Sequence, residues 1–187
     1  MLKMNSYAAL IAIFVLVAVI GVAAQTTAIG SKVPDLALKD QYDHEAKLSD
    51  YKGQLILLVC GDRTGNQYMN NWTKEVRKQF PGPNRIVTIL PIANLKSVPG
   101  LLQGWVKGKF LKQTPDGKPN GPVLLDWKGD VARVFGFHDS VANVYLVDAA
   151  GVFRFSAFGK GASEEVQPLL RVIGDISANP SRSPNAK

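Results

Sequence analysis

The most constraining feature of the chain is the apolar run "QLILLVCG" at residues 54–61. Its length suits a strand, and it shows no alternation of apolar and polar residues. A strand that is apolar on both sides has to be covered on both sides, which is typical of parallel sheets flanked by helices. We therefore expect a sheet with a layer of helix on each face.

Segments with strand and helix patterns alternate around this run. Apolar residues recur at helical spacing in "NQYMNNWTKEVRKQF", and the prolines of "PGP" end that helix. The order predicts an α/β protein with a central mixed β-sheet flanked by helices on both faces. The remaining predicted elements are a short edge strand in "KVPDLALKD", a strand in "RIVTILPIAN", a glycine-weakened helix in "VPGLLQGWVKGKFL", a strand and short helix in "PVLLDWKGDVARVFGF", a hairpin in "NVYLVDAAGVFRFSAFG", and a helix over 163–176.

The ends of the chain differ from the middle. Residues 7–24 carry no charge, and Val22-Ala23-Ala24 before Gln25 fits the signal peptidase rule. Residues 1–24 are therefore either a cleaved signal peptide or an uncleaved N-terminal anchor, with 7–24 as a membrane tether. In both cases the rest is expected to be extracytoplasmic, periplasmic or secreted, with one domain over 30–176. Residues 177–187 lack large apolar side chains, and we expect a disordered tail.

The chain has one cysteine, Cys60. Oxidising compartments favour disulfides, yet one cysteine forms no intramolecular bridge. Stability must therefore come from the core, and thiol chemistry would need a second molecule.

Three stretches carry a recognisable pattern: "GSKVPDLALKD" at 30–40, "KLSDYKGQLILLV" at 47–59 and "VYLVDAAGVFRFSAFG" at 144–159. In these stretches the chain resembles the redoxin branch of the thioredoxin-like superfamily, which includes periplasmic and secreted thiol–disulfide and alkyl hydroperoxide reductase-like domains. The second stretch is the most specific, because a Leu-Ser-Asp-Tyr-Lys-Gly run leading into an apolar strand recurs at the start of this domain. The resemblance covers nearly all of 30–176 and implies a thioredoxin-like fold.

The chain departs from that family at the residues that carry thiol chemistry. Members that exchange disulfides place a Cys-x-x-Cys where this chain has Gly65-Asn66-Gln67-Tyr68. Peroxidase-type members place a cysteine near the position of Met69, and the family's cis-proline corresponds to Ala142. A redox cysteine needs a lowered thiol pKa, which a helix N-terminus and solvent exposure supply, but no sulfur stands at these positions. The resemblance therefore implies a redox-inactive scaffold.

Cys60 lies within the apolar strand, where desolvation raises a thiol pKa and blocks access. We interpret it as a core residue, so the leading hypothesis is a binding or accessory module without catalytic residues. The alternative is a single-cysteine thiol oxidoreductase or peroxidase that uses Cys60 with Arg63 and Thr64, because peroxidase-type relatives use an arginine and a threonine around the peroxide.

The candidate partner-binding surface is the face on which the family keeps its active site. Backbone N–H groups at such a strand-to-helix turn can hold an anion; in the structural alternative, Asp62 or Thr64 caps the helix and Arg63 pairs at the surface. The expected partner is an unknown protein, a peptide or a small anion. The candidate residues are Asp62, Arg63, Thr64, Gly65 and Asn66 on one side, and Ala142 and Asn143 on the other.

The remaining features predict no metal, cofactor or nucleic acid. His44 and His138 show no metal-ligand spacing, and the three tryptophans are expected in the core or at its edge. The chain has a net charge of +7 at pH 7, with much of the excess at 105–121. That segment is interpreted as a solvated lysine-rich loop, with an anionic membrane or polyanion contact as the alternative.

Overall fold

The computed structural model describes residues 26–81, 86–112 and 121–178. The predicted leader therefore lies outside the described residues, as do 113–120 of the basic segment and 179–187 of the predicted tail. Within the described ranges the chain forms seven strands and four helices, with 3₁₀ turns at Leu48–Tyr51 and Gly100–Leu102. The strands are β1 Ala37–Asp40, β2 Glu45–Lys47, β3 Leu55–Gly61, β4 Val87–Asn94, β5 Leu124–Asp126, β6 Ala142–Val147 and β7 Phe153–Gly159; the helices are α1 Asn66–Gln79, α2 Gln103–Phe110, α3 Asp130–Phe135 and α4 Ser163–Ala178.

All seven strands belong to one mixed sheet, in the order β2-β1-β5-β4-β3-β6-β7. The strands β3, β4 and β5 run parallel. The hairpin strands β6 and β7 are antiparallel to each other, and β6 is antiparallel to β3. Consequently the carboxyl ends of β3, β4, β5 and β7 and the amino end of β6 lie at one end of the sheet.

Alternate residues of β3 enter two separate cores. Leu57 and Val59 pack with α1 and α4 on one face, whereas Leu58 and Cys60 pack with α3 on the other. All seven residues of the strand are buried, and a fully buried Leu or Val side chain stabilises a fold by about 1.5–3 kcal/mol relative to its exposed state. The expected central sheet with helices on both faces is confirmed.

The first helix follows the predicted pattern. Its buried residues are Met69, Trp72, Thr73 and Val76, and it ends at Gln79, directly before the Phe80 cap and Pro81. The helix predicted from Asn66 to Phe80 is thus confirmed to within one residue.

The predicted hairpin is also present, and Asp148 organises its turn. The Oδ1 atom of Asp148 accepts the backbone N–H groups of Ala150 and Val152, both at 2.9 Å. Its Oδ2 atom accepts a hydrogen bond from Nε of Arg154 at 2.6 Å. A carboxylate that binds N–H groups two and four residues onward reverses the chain tightly.

One expectation needs correction, concerning the edge of the sheet. Strand β1 is not at the edge, because β2 pairs outside it; β2 has three largely polar residues and carries no alternation that a sequence pattern could reveal. Trp105, expected in the core or at its edge, is 64% exposed, because α2 turns Val106 and Phe110 toward the sheet. The helix α4 passes Pro168 without interruption, and Pro168 lies on its exposed side.

Among the described residues, the structure contains no helix with the length and apolar character needed to cross a membrane.

Candidate functional site

The site predicted from the sequence lies where β3 ends and α1 begins, and Asp62 organises the turn between them. Its Oδ1 atom accepts the backbone N–H of Thr64 at 3.0 Å and that of Gly65 at 2.6 Å. Its carbonyl oxygen accepts the N–H of Asn66 at 2.9 Å. The N–H groups of Thr64, Gly65 and Asn66 are therefore already bound to Asp62 and are not open to an external anion.

The second carboxylate oxygen of Asp62 joins this turn to another loop. The Oδ2 atom accepts the backbone N–H of Ser140 at 2.8 Å, in the loop 136–141 between α3 and β6. Asp62 is only half-buried, yet its bonds hold both loops at the same end of the sheet. We conclude that Asp62 has a structural role.

Gly65, the first residue of the family's cysteine motif, is buried against the same loop. A Cβ atom built on Gly65 would lie 2.2 Å from the carbonyl oxygen of Val141. Real Cβ atoms essentially never approach backbone so closely. The loop thus occupies the space that any side chain at Gly65 would need.

The two candidate residues on the opposite side, Ala142 and Asn143, are also buried. The Asn143 side chain accepts the N–H of His138 at 2.8 Å and donates to the carbonyl oxygens of His138 at 2.9 Å and Val141 at 3.2 Å. No cis peptide bond occurs among the described residues, so the bond before Ala142 is trans. The Asn143 side chain stabilises the loop 136–141, because its polar atoms are hydrogen-bonded to the backbone of that loop.

Of the seven candidate residues, Arg63, Thr64 and Asn66 are the exposed ones. The structure places three further exposed residues around them at this end of the sheet. His138 stacks on Phe158 with ring centroids 3.5 Å apart, and the Lys160 ammonium lies 5.7 Å from the Tyr68 ring centroid. We call the exposed set the α1-tip face: Arg63, Thr64, Asn66, His138, Phe158 and Lys160.

Sequence reasoning did not assign Phe158 or Lys160 to the site. Phe158 is 53% exposed and lies opposite Asn143 in the β6–β7 ladder. That register depends on an irregularity between Leu146 and Val147, so the hairpin pattern alone could not align the two residues.

Cys60 is fully buried, as expected. Burial raises the pKa of its thiol above the ordinary value of 9.0, and the negative charges of Asp126 and Asp62 raise it further. A protonated, inaccessible thiol is not a nucleophile. The structure therefore separates Cys60 from the exposed Arg63 and Thr64, with which the alternative hypothesis combined it.

Asp126 is a buried carboxylate that the sequence analysis did not single out. It accepts the backbone N–H groups of Asp130 and Val131, both at 2.9 Å. Burial raises the pKa of Asp126, while the N–H groups of Val131, Gly129 and Lys128 lower it in part. These contacts begin the helix α3 and explain why a carboxylate is retained in the interior.

The described ranges contain no group of three or more His, Cys, Asp or Glu residues able to hold a metal ion.

Fold and site together define a thioredoxin-fold domain that has no cysteine at the amino end of α1, where the sequence comparison aligns the Cys-x-x-Cys of disulfide-exchanging members. No family model matches the chain. The thiol-disulfide oxidoreductase ResA of Geobacillus kaustophilus (strain HTA426) is 31% identical over 146 residues, which cover 78% of each protein. The chain therefore belongs to the thioredoxin-like (redoxin) superfamily, and its relationship is to a thiol–disulfide oxidoreductase.

Solved structures agree on the fold. A protein from Chlorobium tepidum assigned as thiol:disulfide interchange protein DsbE aligns with a TM-score of 0.56 and 22% identity, over 80% of this chain and all of the other. The exposed lipoprotein thioredoxin Etrx1 from Streptococcus pneumoniae aligns with a TM-score of 0.54 and 16% identity, over 74% of this chain and 98% of the other. At these identities the comparison establishes the thioredoxin-like fold alone.

Proposed function

We propose that this chain is an extracytoplasmic thioredoxin-fold protein that does not exchange disulfides and serves as a binding or accessory module. The observation that carries the proposal is the contact between Gly65 and Val141. The first position of the redox motif lacks sulfur, and the backbone of the neighbouring loop fills the space beside it. A cysteine side chain at position 65 would require the loop that contains Val141 to move.

The burial of Cys60, the single cysteine of the chain, supports the same proposal. Cys60 is buried between neighbouring strands, and its pKa is raised by desolvation. A thiol-dependent enzyme needs a thiolate that meets its substrate. Catalysis by Cys60 would require the strand β3 to open, which would expose two hydrophobic cores at once.

The proposed location rests on the leader pattern at 1–24, with Etrx1 as a relative in fold that is described as an exposed lipoprotein. The apolar segment 7–24 is either removed or retained as a tether. Both outcomes place residues 30–176 outside the cytoplasm.

We assign partner binding to the α1-tip face. Arg63 offers a planar guanidinium that can bind a carboxylate in a bidentate manner, and the His138–Phe158 stack offers apolar area at the same end of the sheet. Because Asp62 already occupies the N–H groups before α1, an anionic group would be held by side chains. A protein or a peptide with a carboxylate next to an apolar residue fits this arrangement better than a small inorganic anion.

The absence of thiol chemistry is tested by labelling Cys60 with a maleimide in the folded protein at neutral pH. We expect no labelling until denaturant is added. The positive control is Asn66→Cys in a Cys60→Ala background, because residue 66 is exposed and should label at once. Rapid labelling of native Cys60, together with peroxide or disulfide turnover that Cys60→Ser abolishes, would replace this proposal with the single-cysteine enzyme.

The binding role is tested by NMR titration with a library of acidic and apolar peptides. We expect shifts confined to the α1-tip face, and at least a tenfold loss of affinity in Arg63→Glu, since a charge-assisted bidentate contact becomes a repulsion. Arg171→Glu is the matched control, because Arg171 is an exposed arginine on α4. Equal losses in both variants would mean that only net charge matters, which would refute a site at this face.

A further inference from the structure

The segment from Gly100 to Lys112 exposes an unusual amount of apolar surface. Leu101 is fully exposed, Trp105 is 64% exposed, Leu102 49% and Leu111 44%. These are four of the eight large apolar side chains that are exposed in the described ranges. Single exposed apolar residues are ordinary, but a contiguous group marks an interaction surface.

The exposure of these apolar side chains does not result from loose packing of the segment against the domain. The opposite side of the same helix is anchored, because Val106 and Phe110 pack against the cluster formed by Leu95 and Leu125. Trp105 and Lys109 are four residues apart on α2 and lie on one stripe of the helix, and Leu101 precedes them in the 3₁₀ turn Gly100–Leu102. The helix α2 therefore has an inner side held by the sheet, and the side chains of Leu101 and Trp105 remain largely exposed.

The charge on this stripe is positive. From Gly100 to Lys112 the chain has three lysines and no acidic residue. The Lys109 ammonium lies 4.5 Å from the centroid of the Trp105 ring, and Lys112 is exposed beside Leu111. Lys107 is directed elsewhere, since it pairs with Asp43 at 2.5 Å. An apolar stripe flanked by lysines is complementary to a surface that is negative outside and apolar beneath.

Glycine makes the exposed side chains more prominent. Gly104 and Gly108 are exposed, and a Cβ atom on either would touch nothing within 4 Å. The fold does not require glycine at these positions, yet their presence leaves the Trp105 ring and Leu101 as the outermost groups of the segment.

We propose that the α2 surface, formed by Leu101, Leu102, Trp105, Lys109, Leu111 and Lys112, docks onto a membrane that contains anionic phospholipid. Tryptophan prefers the boundary between headgroups and acyl chains, leucines enter the layer beneath it, and lysines bind the phosphate layer. A stable protein interface engages about 20–30 residues on each side, whereas this surface is a single short helical segment. The size and the charge both favour a lipid surface over a second folded protein.

Docking would also orient the domain. The segment starts after the carboxyl end of β4, and that end of the parallel strands is the one that carries the α1-tip face. A membrane at α2 would therefore lie near the proposed partner-binding face. The inference does not depend on that face or on the absence of thiol chemistry.

The test uses the full chain with vesicles of phosphatidylcholine alone, or with about a third phosphatidylglycerol. The measurement is the quenching of Trp105 emission by brominated acyl chains, after subtraction of the signal of Trp105→Phe, which retains Trp72 and Trp127. We expect a blue shift and quenching on the anionic vesicles only, both lost in high salt because the lysine contribution is screened. The N-terminal apolar segment is the same in every sample, so the lysine variants and their control are compared with the same tether on the same vesicles.

The double variant Lys109→Gln/Lys112→Gln should lose the quenching. Its matched control is Lys74→Gln/Lys78→Gln, which removes the same charge from exposed positions on α1 and should behave like the unchanged protein. Equal quenching of Trp105 by brominated lipid on neutral and anionic vesicles would overturn the proposal. It would also be overturned if acrylamide quenched Trp105 as strongly with either kind of vesicle as without lipid. Protection of Trp105 in concentrated protein without lipid would overturn it in favour of a second copy of the chain.

Discussion

A Cβ atom on Gly65 would lie 2.2 Å from the carbonyl oxygen of Val141. These residues belong to the two loops that form the active site in related oxidoreductases, and here the loops touch each other directly. The Asp62 carboxylate bonds to the N–H groups of both loops. The superfamily scaffold is therefore retained in a closed form that leaves no room for a side chain at the first redox position.

Gly65→Ala should destabilise the domain by about 1–3 kcal/mol, because the added methyl group forces the Val141 loop to shift. The measurement is urea-induced unfolding followed by tryptophan fluorescence. Gly104→Ala is the matched control, since Gly104 is exposed within α2 and its Cβ position is open. That change should leave stability equal or raise it by up to about 1 kcal/mol. A loss in both variants, or in neither, would contradict the packing argument.

Restoring the cysteine motif should not restore catalysis. The double variant Gly65→Cys/Tyr68→Cys places a larger side chain against Val141, and we expect lower stability and no reduction of insulin disulfides above the uncatalysed rate. Tyr68→Cys alone serves as the control for loss of the half-buried tyrosine. If the double variant reduced insulin and kept its stability, the Val141 loop would have accommodated the cysteine side chain. The lack of the two thiols would then be the sole reason for the absence of catalysis.

Asp62→Ala should cost about 0.5–2 kcal/mol, comparable to the loss of a side-chain acceptor for backbone N–H groups at the start of a helix. Three backbone N–H groups lose their acceptor, but they lie near solvent and water replaces part of the interaction. Thr64→Ala, at an exposed position of the same turn, should change the unfolding free energy by less than about 0.5 kcal/mol. Chemical denaturation of the two variants distinguishes them, and equal effects would argue against a bridging role of Asp62.

The buried thiol predicts a loss of stability at alkaline pH. The pKa of Cys60 in the folded protein is raised above its ordinary value of 9.0, so the unfolded thiol ionises first as the pH rises. Stability from this group is complete below pH 9 and falls above it by about 1.4 kcal/mol per pH unit. The pKa of Tyr51 and of Tyr145 is also raised by burial, above an ordinary value of 10.0. The comparison with Cys60→Ala between pH 9 and 10 therefore isolates the thiol, and identical slopes would contradict the prediction.

The local elements could be predicted because each has a pattern of its own. The continuous apolar run of β3 and the helical spacing of Met69, Trp72 and Val76 both report burial directly. The strand β2 has no such pattern, so its pairing outside β1 followed only from the folded sheet. The sequence left Trp105 either in the core or at its edge, and the helix phase set by Val106 and Phe110 leaves it exposed.

The candidate residues at the strand-to-helix turn and on the opposite side differ in their exposure. Arg63, Thr64 and Asn66 are exposed, while Gly65, Ala142 and Asn143 are buried and hold the loops. Sequence position places residues along the chain but does not decide which of two adjacent side chains faces solvent at a turn. Phe158 joined the face through the β6–β7 register, which depends on a local irregularity.

The amino-acid sequence by itself determined the fold class and the absence of a cysteine pair, because periodicity and residue identity are properties of the chain alone. Only the tertiary structure decided that Val141 fills the space beside Gly65, that Asp62 bonds to both loops, and that Leu101 and Trp105 are exposed. Those relationships join residues far apart along the chain, and they arise only when the sheet brings its strand ends together.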